Sequence, residues 1–194
     1  MITNRYLTTS AFAIIFLCAL SSCSKTSSIL NRTFSFSTPA QTFAIPPVPN
    51  AVAYGSGIMP TVSGSFKYDL DSAIKAASNN ALSINNLGSL KLASCVITET
   101  NNTTVADSSN FSSFQSITIS FTSVSNSTPY QLTVNQPDVF ATSMTLAPLD
   151  TNAEMKSYLQ GSNFNYAVDG KMRRGTKDTM KCNAVFTFTV KVQG

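Results

Sequence analysis

Cys182-Asn183-Ala184-Val185-Phe186-Thr187-Phe188-Thr189-Val190-Lys191-Val192 carries an apolar residue at every second position over eleven residues, with polar residues between them except at Val185, the period of a strand with one buried and one solvated face. Cys182, Ala184, Phe186, Phe188, Val190 and Val192 share one parity; Thr187, Thr189 and Lys191 fall on the other. No other segment carries so long a strand signal. Upstream, Phe164, Tyr166 and Val168 alternate toward Asp169-Gly170, so the two segments are expected to form an antiparallel hairpin about that turn.

The same period recurs along the chain. Phe34 and Phe36, then Phe43 and Ile45, predict a pair of short strands or one broken at Pro39, ended by the stiff run Pro46-Pro47-Val48-Pro49. Val62, Phe66, Tyr68 and Leu70 propose another, and Tyr54 to Pro60 reads as a loop. Leu90, Leu92 and Val96 fall on one face of the next strand and Lys91, Ala93, Cys95 and Ile97 on the other, a two-sided apolar character that suits a central strand. Thr98 to Asn110 is a polar connection. Ile117, Ile119 and Phe121 form a half-buried strand that turns through Ser125-Asn126-Ser127-Thr128-Pro129 into Tyr130, Leu132 and Val134. Val139-Phe140 and Met144 with Leu146 add one strand or two.

Two helices are expected. Asp71 to Ala77 has good helix formers behind a capping-type Asp and stops at Asn79-Asn80. Thr151 to Gln160 is followed by Gly161, a residue that suits a helix C-terminus. Many short strands with turn signals between them define an antiparallel β-sandwich, immunoglobulin-like or close to it, with two short helices.

Leu20-Ser21-Ser22-Cys23 closes an apolar stretch from Ala11 to Leu20 that follows Arg5. At roughly 10 residues the stretch is too short for a hydrocarbon core that needs about 20, and it has the parts of a secretory signal. The four residues resemble the lipobox of bacterial lipoproteins. The resemblance implies cleavage before Cys23, acylation of its sulfur and new amine, and a membrane partner reached through lipid. It also implies outer-membrane sorting, since Ser24 stands where inner-membrane retention typically uses Asp. Ser24-Lys25-Thr26-Ser27-Ser28 lacks an acidic export signal, which favours the periplasmic side over surface display. The organisation expected is a signal peptide over 1–22, a lipidated Cys and tether over 23–33, and one β-domain over 34–194.

Phe66-Lys67-Tyr68-Asp69-Leu70-Asp71-Ser72-Ala73-Ile74, then Leu90-Lys91-Leu92, then Glu154-Met155-Lys156-Ser157-Tyr158-Leu159 stand in an order that resembles envelope lipoproteins of Bacteroidetes type. The implied sandwich is loosely similar to late-embryogenesis-abundant and water-stress domains. No catalytic position comes with that resemblance.

Cleavage after residue 22 leaves 172 of 194 residues, enough to bury roughly 70% of the unfolded surface in one core. The loss of Arg5 lowers the net charge from +4 to about +3, too weak a charge to point to nucleic acid. Histidine is absent from the chain, which removes the commonest general base and the commonest transition-metal ligand. No cofactor is expected. With Cys18 removed and Cys23 lipidated, Cys95 and Cys182 remain as an even pair. In an oxidising compartment they predict a disulfide closing a loop of about 88 residues, a crosslink worth on the order of 4–5 kcal/mol. Two buried free thiols are the other reading.

Lys171, Arg173, Arg174, Lys177 and Lys181 concentrate positive charge near the last turn. Such a cluster suits acidic headgroups or an acidic polysaccharide, or is simply a solvated turn. Asp69 and Asp71 offer two carboxylates of the kind glycosidases use, or a helix cap. Tyr54, Tyr130, Tyr158 and Tyr166 form either a sugar-stacking platform or core and rim packing. Gly55-Ser56-Gly57 lacks the Lys of a phosphate cradle. The function expected is a non-enzymatic binding or structural role at the envelope, with an envelope protein or polysaccharide as partner. An accessory glycan-binding module and a carboxylate-dependent hydrolase are the alternatives.

Overall fold

A computed structural model describes residues 33–102, 109–159 and 163–192. The expected signal peptide, Cys23 and nearly all of the tether lie outside the described residues. Among the described residues, nine strands form one antiparallel sheet: β1 (Thr33–Ser37), β2 (Gln41–Ile45), β3 (Val62–Lys67), β4 (Leu87–Glu99), β5 (Phe114–Ser123), β6 (Tyr130–Asn135), β7 (Ser143–Pro148), β8 (Asn163–Met172) and β9 (Met180–Val192). Their order is β1-β9-β4-β7-β6-β5-β8-β3, with β2 also on β9. β7 pairs with β4 through Ser143–Leu146 and with β6 through Ala147 and Pro148. It thereby joins two half-sheets that curl over a common core, the mainly antiparallel, sandwich-like class the alternation predicts.

The strongest strand signal is the organising strand. β9 pairs with β4 along one edge and with both β1 and β2 along the other. Its inward residues, Cys182 through Val192 on one parity, are all buried. The expected hairpin with β8 does not form. β8 runs straight through Asp169-Gly170 to Met172 and pairs with β3 and β5 in the other half-sheet. The strand has to carry glycine at 170, where it pairs opposite Ile117: a Cβ there would stand 2.8 Å from the sulfur of Met59 and 2.9 Å from the ring of Phe114.

Both neighbours of β9 carry an extra residue at nearly the same level. Ser37 faces Thr187 but Gln41 faces Ala184, so the first chain spends four residues where β9 spends three. Side chains alternate with period 2, and this bulge at Thr38-Pro39-Ala40 switches parity. Phe34, Phe36, Phe43 and Ile45 consequently all pair across from inward residues of β9. Thr38 pins the bulge: its N–H donates to the Phe186 carbonyl at 2.9 Å, and its hydroxyl accepts from the Phe186 N–H at 3.1 Å. On the other flank, Leu92 faces Phe188 but Ser94 faces Thr187, making Ala93 the extra residue. Leu90, Leu92, Cys95 and Ile97 are therefore all buried on one face, which corrects the two-sided reading of this strand. β4 is nonetheless central, between β9 and β7.

Among the described residues, three α-helices decorate the sheet: α1 (Asn50–Gly55), α2 (Leu70–Ala77) and α3 (Lys156–Leu159). α1 replaces part of an expected loop, started where the N–H groups of Val52 and Ala53 donate to the Pro49 carbonyl. α2 begins one residue earlier than expected because Asp69, not Asp71, caps it, accepting the Ser72 N–H at 3.0 Å. Asn79 and Asn80 end it in left-handed conformation (φ 51° and 63°). α3 is shorter than the expected Thr151–Gln160 helix. Beside Leu90, β4 has no β7 partner, and residues 154–155 take that place: the Met155 N–H donates to the Leu90 carbonyl at 2.7 Å and the Leu90 N–H to the Glu154 carboxylate at 2.9 Å.

Candidate functional site

The outer strands of the two half-sheets, β2 and β3, face each other without ladder hydrogen bonds. Between them opens a cleft of about 210 Å³ walled by Phe43, Phe66, Phe121, Tyr166 and Phe186, with Gln41 and Ser65 at its rim. Phe66 stacks on Phe164 and Phe186, with ring centres 5.0 and 5.8 Å apart, and Phe121 meets Phe186 edge-on at 5.0 Å. Tyr166 crosses the opening to within 6.1 Å of the Phe43 ring centre. It can do so because residue 64, opposite it, is glycine: a Cβ there would lie 2.5 Å from the Tyr166 hydroxyl. Burial pushes the Tyr166 phenol above its ordinary range. The cleft offers apolar surface and one phenol, a place for an apolar group.

A second concavity, of about 370 Å³, lies where α1 meets the connection between β8 and β9. Asn50, Tyr54, Arg174, Thr176 and Lys177 line it, over a base made by Val48, Pro49 and Gly175. The base is cross-linked. The Val48 N–H donates to the Thr176 hydroxyl and the Thr176 N–H to the Val48 carbonyl, both at 2.9 Å; the Gly175 N–H donates to the Asn50 side-chain oxygen at 2.9 Å. Tyr54 is 71% exposed above it.

The structure divides the residues that the sequence singled out. Arg173 is spent inside the fold, its guanidinium donating to the carbonyls of Ser112, Phe114 and Gln136. Arg174 donates to the Ser112 carbonyl and pairs with Asp138. Lys171, Lys177 and Lys181 are exposed, but Lys171 points outward from β8 and Lys181 from β9, in different half-sheets. The five cations do not form one continuous surface, and only Arg174 and Lys177 meet, in the second concavity.

Cys95 and Cys182 are both buried free thiols, which corrects the expected disulfide. Cys95 stands opposite Phe186 and Cys182 opposite Glu99, a stagger of four residues, or roughly 13 Å along the strands. A disulfide requires Cα atoms within about 7 Å. Burial raises the Cys95 thiol far above its ordinary range; burial, then the charge of Glu99, pushes Cys182 up to about 12. Both sulfurs are enclosed in the core.

Asp69 and Asp71 each have local work. Both oxygens of Asp69 accept from Ser72, one from its N–H and one from its hydroxyl at 2.7 Å. Asp71 accepts the Ile84 N–H at 2.9 Å and pairs with Lys75 at 2.5 Å. Those bonds hold both carboxyls below their ordinary values, the opposite of what a general acid needs. Of the four tyrosines, Tyr130 and Tyr158 are buried against each other and Tyr166 lies in the cleft. Only Tyr54 presents an open ring. Asn50 and Thr176 were missed by sequence reasoning: Asn50 meets Gly175 across 125 positions and Thr176 meets Val48 across 128, and nothing local announces either contact.

Among the described residues, no group of three or more Cys, Asp or Glu comes together to hold a metal. No family model and no curated protein matches the chain. Among solved structures it is similar to a chain of Desmodium yellow mottle tymovirus, at 4% identity over 84% of this chain and 88% of that one, TM-score 0.31. It is also similar to a chain of the full particle of Israeli acute paralysis virus heated to 63 degrees, at 10% identity over 99% and 86%, TM-score 0.34. Likenesses of this size carry no argument about function.

Proposed function

We propose that this chain is a lipid-anchored envelope protein whose β-domain has a non-enzymatic binding role. The observation that carries the reading is Leu20-Ser21-Ser22-Cys23 behind a short apolar run. The ten residues from Cys23 to the start of β1 at Thr33 span at most about 35 Å, which keeps the domain close to the bilayer. The outer membrane, periplasmic side, is the location that Ser24 and the missing acidic export signal favour. A binding role is supported by the two concavities and by the local engagement of Asp69 and Asp71, which leaves the hydrolase reading without its acid.

The anchor is tested by expressing the wild-type chain and Cys23→Ala in a lipoprotein-processing bacterium. Mass spectrometry should find an acylated N-terminal peptide beginning at Cys23, and the variant should leave the membrane fraction. An unmodified Met1 terminus, or a variant that still fractionates with membranes, overturns the reading.

A further inference from the structure

We infer that the concavity between α1 and the β8–β9 connection binds a sugar-acid unit of an acidic polysaccharide, with Tyr54 as the stacking surface and Lys177 as the carboxylate partner. This rests on the binding role proposed above and names its ligand class. Three observations meet there. Tyr54 is 71% exposed, and a ring held open beside a groove suits the C–H face of a pyranose. Three side chains of the wall present donors: the side-chain oxygen of Asn50 is taken by the Gly175 N–H, which leaves its amide nitrogen, and Arg174 and Lys177 carry only N–H groups. Asp138 balances Arg174, whereas Lys177 forms no ion pair among the described residues, so its ammonium is the charge left for a ligand.

A donor-rich wall with one uncompensated cation selects a ligand rich in acceptors that carries a negative charge. The base is already rigid. Gly175 allows this, since a Cβ there would sit 2.5 Å from the Val48 carbonyl and 2.7 Å from Asn50. A pre-ordered groove loses little entropy on binding. The volume of about 370 Å³ lies at the lower end of small-ligand sites, as expected for one or two sugar rings.

The test is titration calorimetry of the full chain in detergent with galacturonate and galactose oligosaccharides of equal length, which differ only in oxidation at C6. Binding of the acid, at least tenfold weaker binding of the neutral sugar, and tenfold losses for both Tyr54→Ala and Lys177→Gln support the inference. Lys171→Ala should bind as the wild type does. Equal affinity for both sugars, no binding of either, insensitivity to the Tyr54 and Lys177 changes, or binding only to anionic phospholipid vesicles overturns it. None of these results touches the Cys23 anchor, which fractionation tests separately.

Discussion

Gly175 shows how little room one position can leave. An added methyl must push on the Val48 carbonyl and the Asn50 side chain, so Gly175→Ala should cost about 1–3 kcal/mol, as other overpacked sites do, read by chemical denaturation. The buried Thr176 beside it accepts the Val48 N–H. Thr176→Val keeps the shape, strands that donor, and should cost about 1–3 kcal/mol. The thiols set an alkaline limit. Cys95 and Cys182 ionise at 9.0 when unperturbed and well above it in the fold. Their contribution is therefore intact below about 9 and declines as pH rises further, because the unfolded state releases protons that the folded state retains. Denaturation midpoints should fall between about pH 8 and pH 10.5, and more gently when both cysteines are replaced by Ala. At this scale the sequence was partly legible. A capping Asp was visible at the start of α2, but choosing Asp69 over Asp71 depends on Ile84, thirteen positions away, which claims Asp71.

Whole elements were legible wherever alternation was unbroken. β5 and β9 follow their parity, and the break at Pro39 between β1 and β2 is where the sequence puts it. Parity failed at Ala93, because a bulged residue has no signature when it is small and flanked by Leu92 and Ser94. The Thr38–Ala40 bulge is the counterpart across β9, and its function can be tested by length alone. Deleting Ala40 removes the parity switch, so β1 and β2 cannot both keep their aromatic residues inward. Hydrogen exchange in the deletion variant should show lost amide protection across Thr33–Ser37 while β5 and β8 remain protected. The expected ten-residue helix failed for a similar reason. An isolated helix that short is marginal, and the unpaired edge of β4 at Leu90 offers Glu154 and Met155 better partners.

At the level of the molecule, the class was legible and the pairing was not. Turn residues at Asp169-Gly170 point to a hairpin, but local chemistry cannot report that Phe114 and Met59 press on residue 170 from elsewhere. The same gap explains the disulfide: an even cysteine count carries no register. In unreduced, unfolded protein the Cys95 and Cys182 peptides should both take up a thiol alkylator, and in native protein neither should. Arg173 is a joint between distant segments, reaching the turn before β5 and the Gln136 carbonyl after β6. Arg173→Ala should cost about 2–3 kcal/mol, the scale of hydrogen bonds to a charged donor, whereas Lys171→Ala should be neutral within about 0.5 kcal/mol. Among the described residues, β9 is the only strand that pairs with β1 and β2. Ser37 meets Thr187 across 150 positions, so that half of the molecule closes only through contacts between segments far apart in sequence, and its completion should be the slow step of folding.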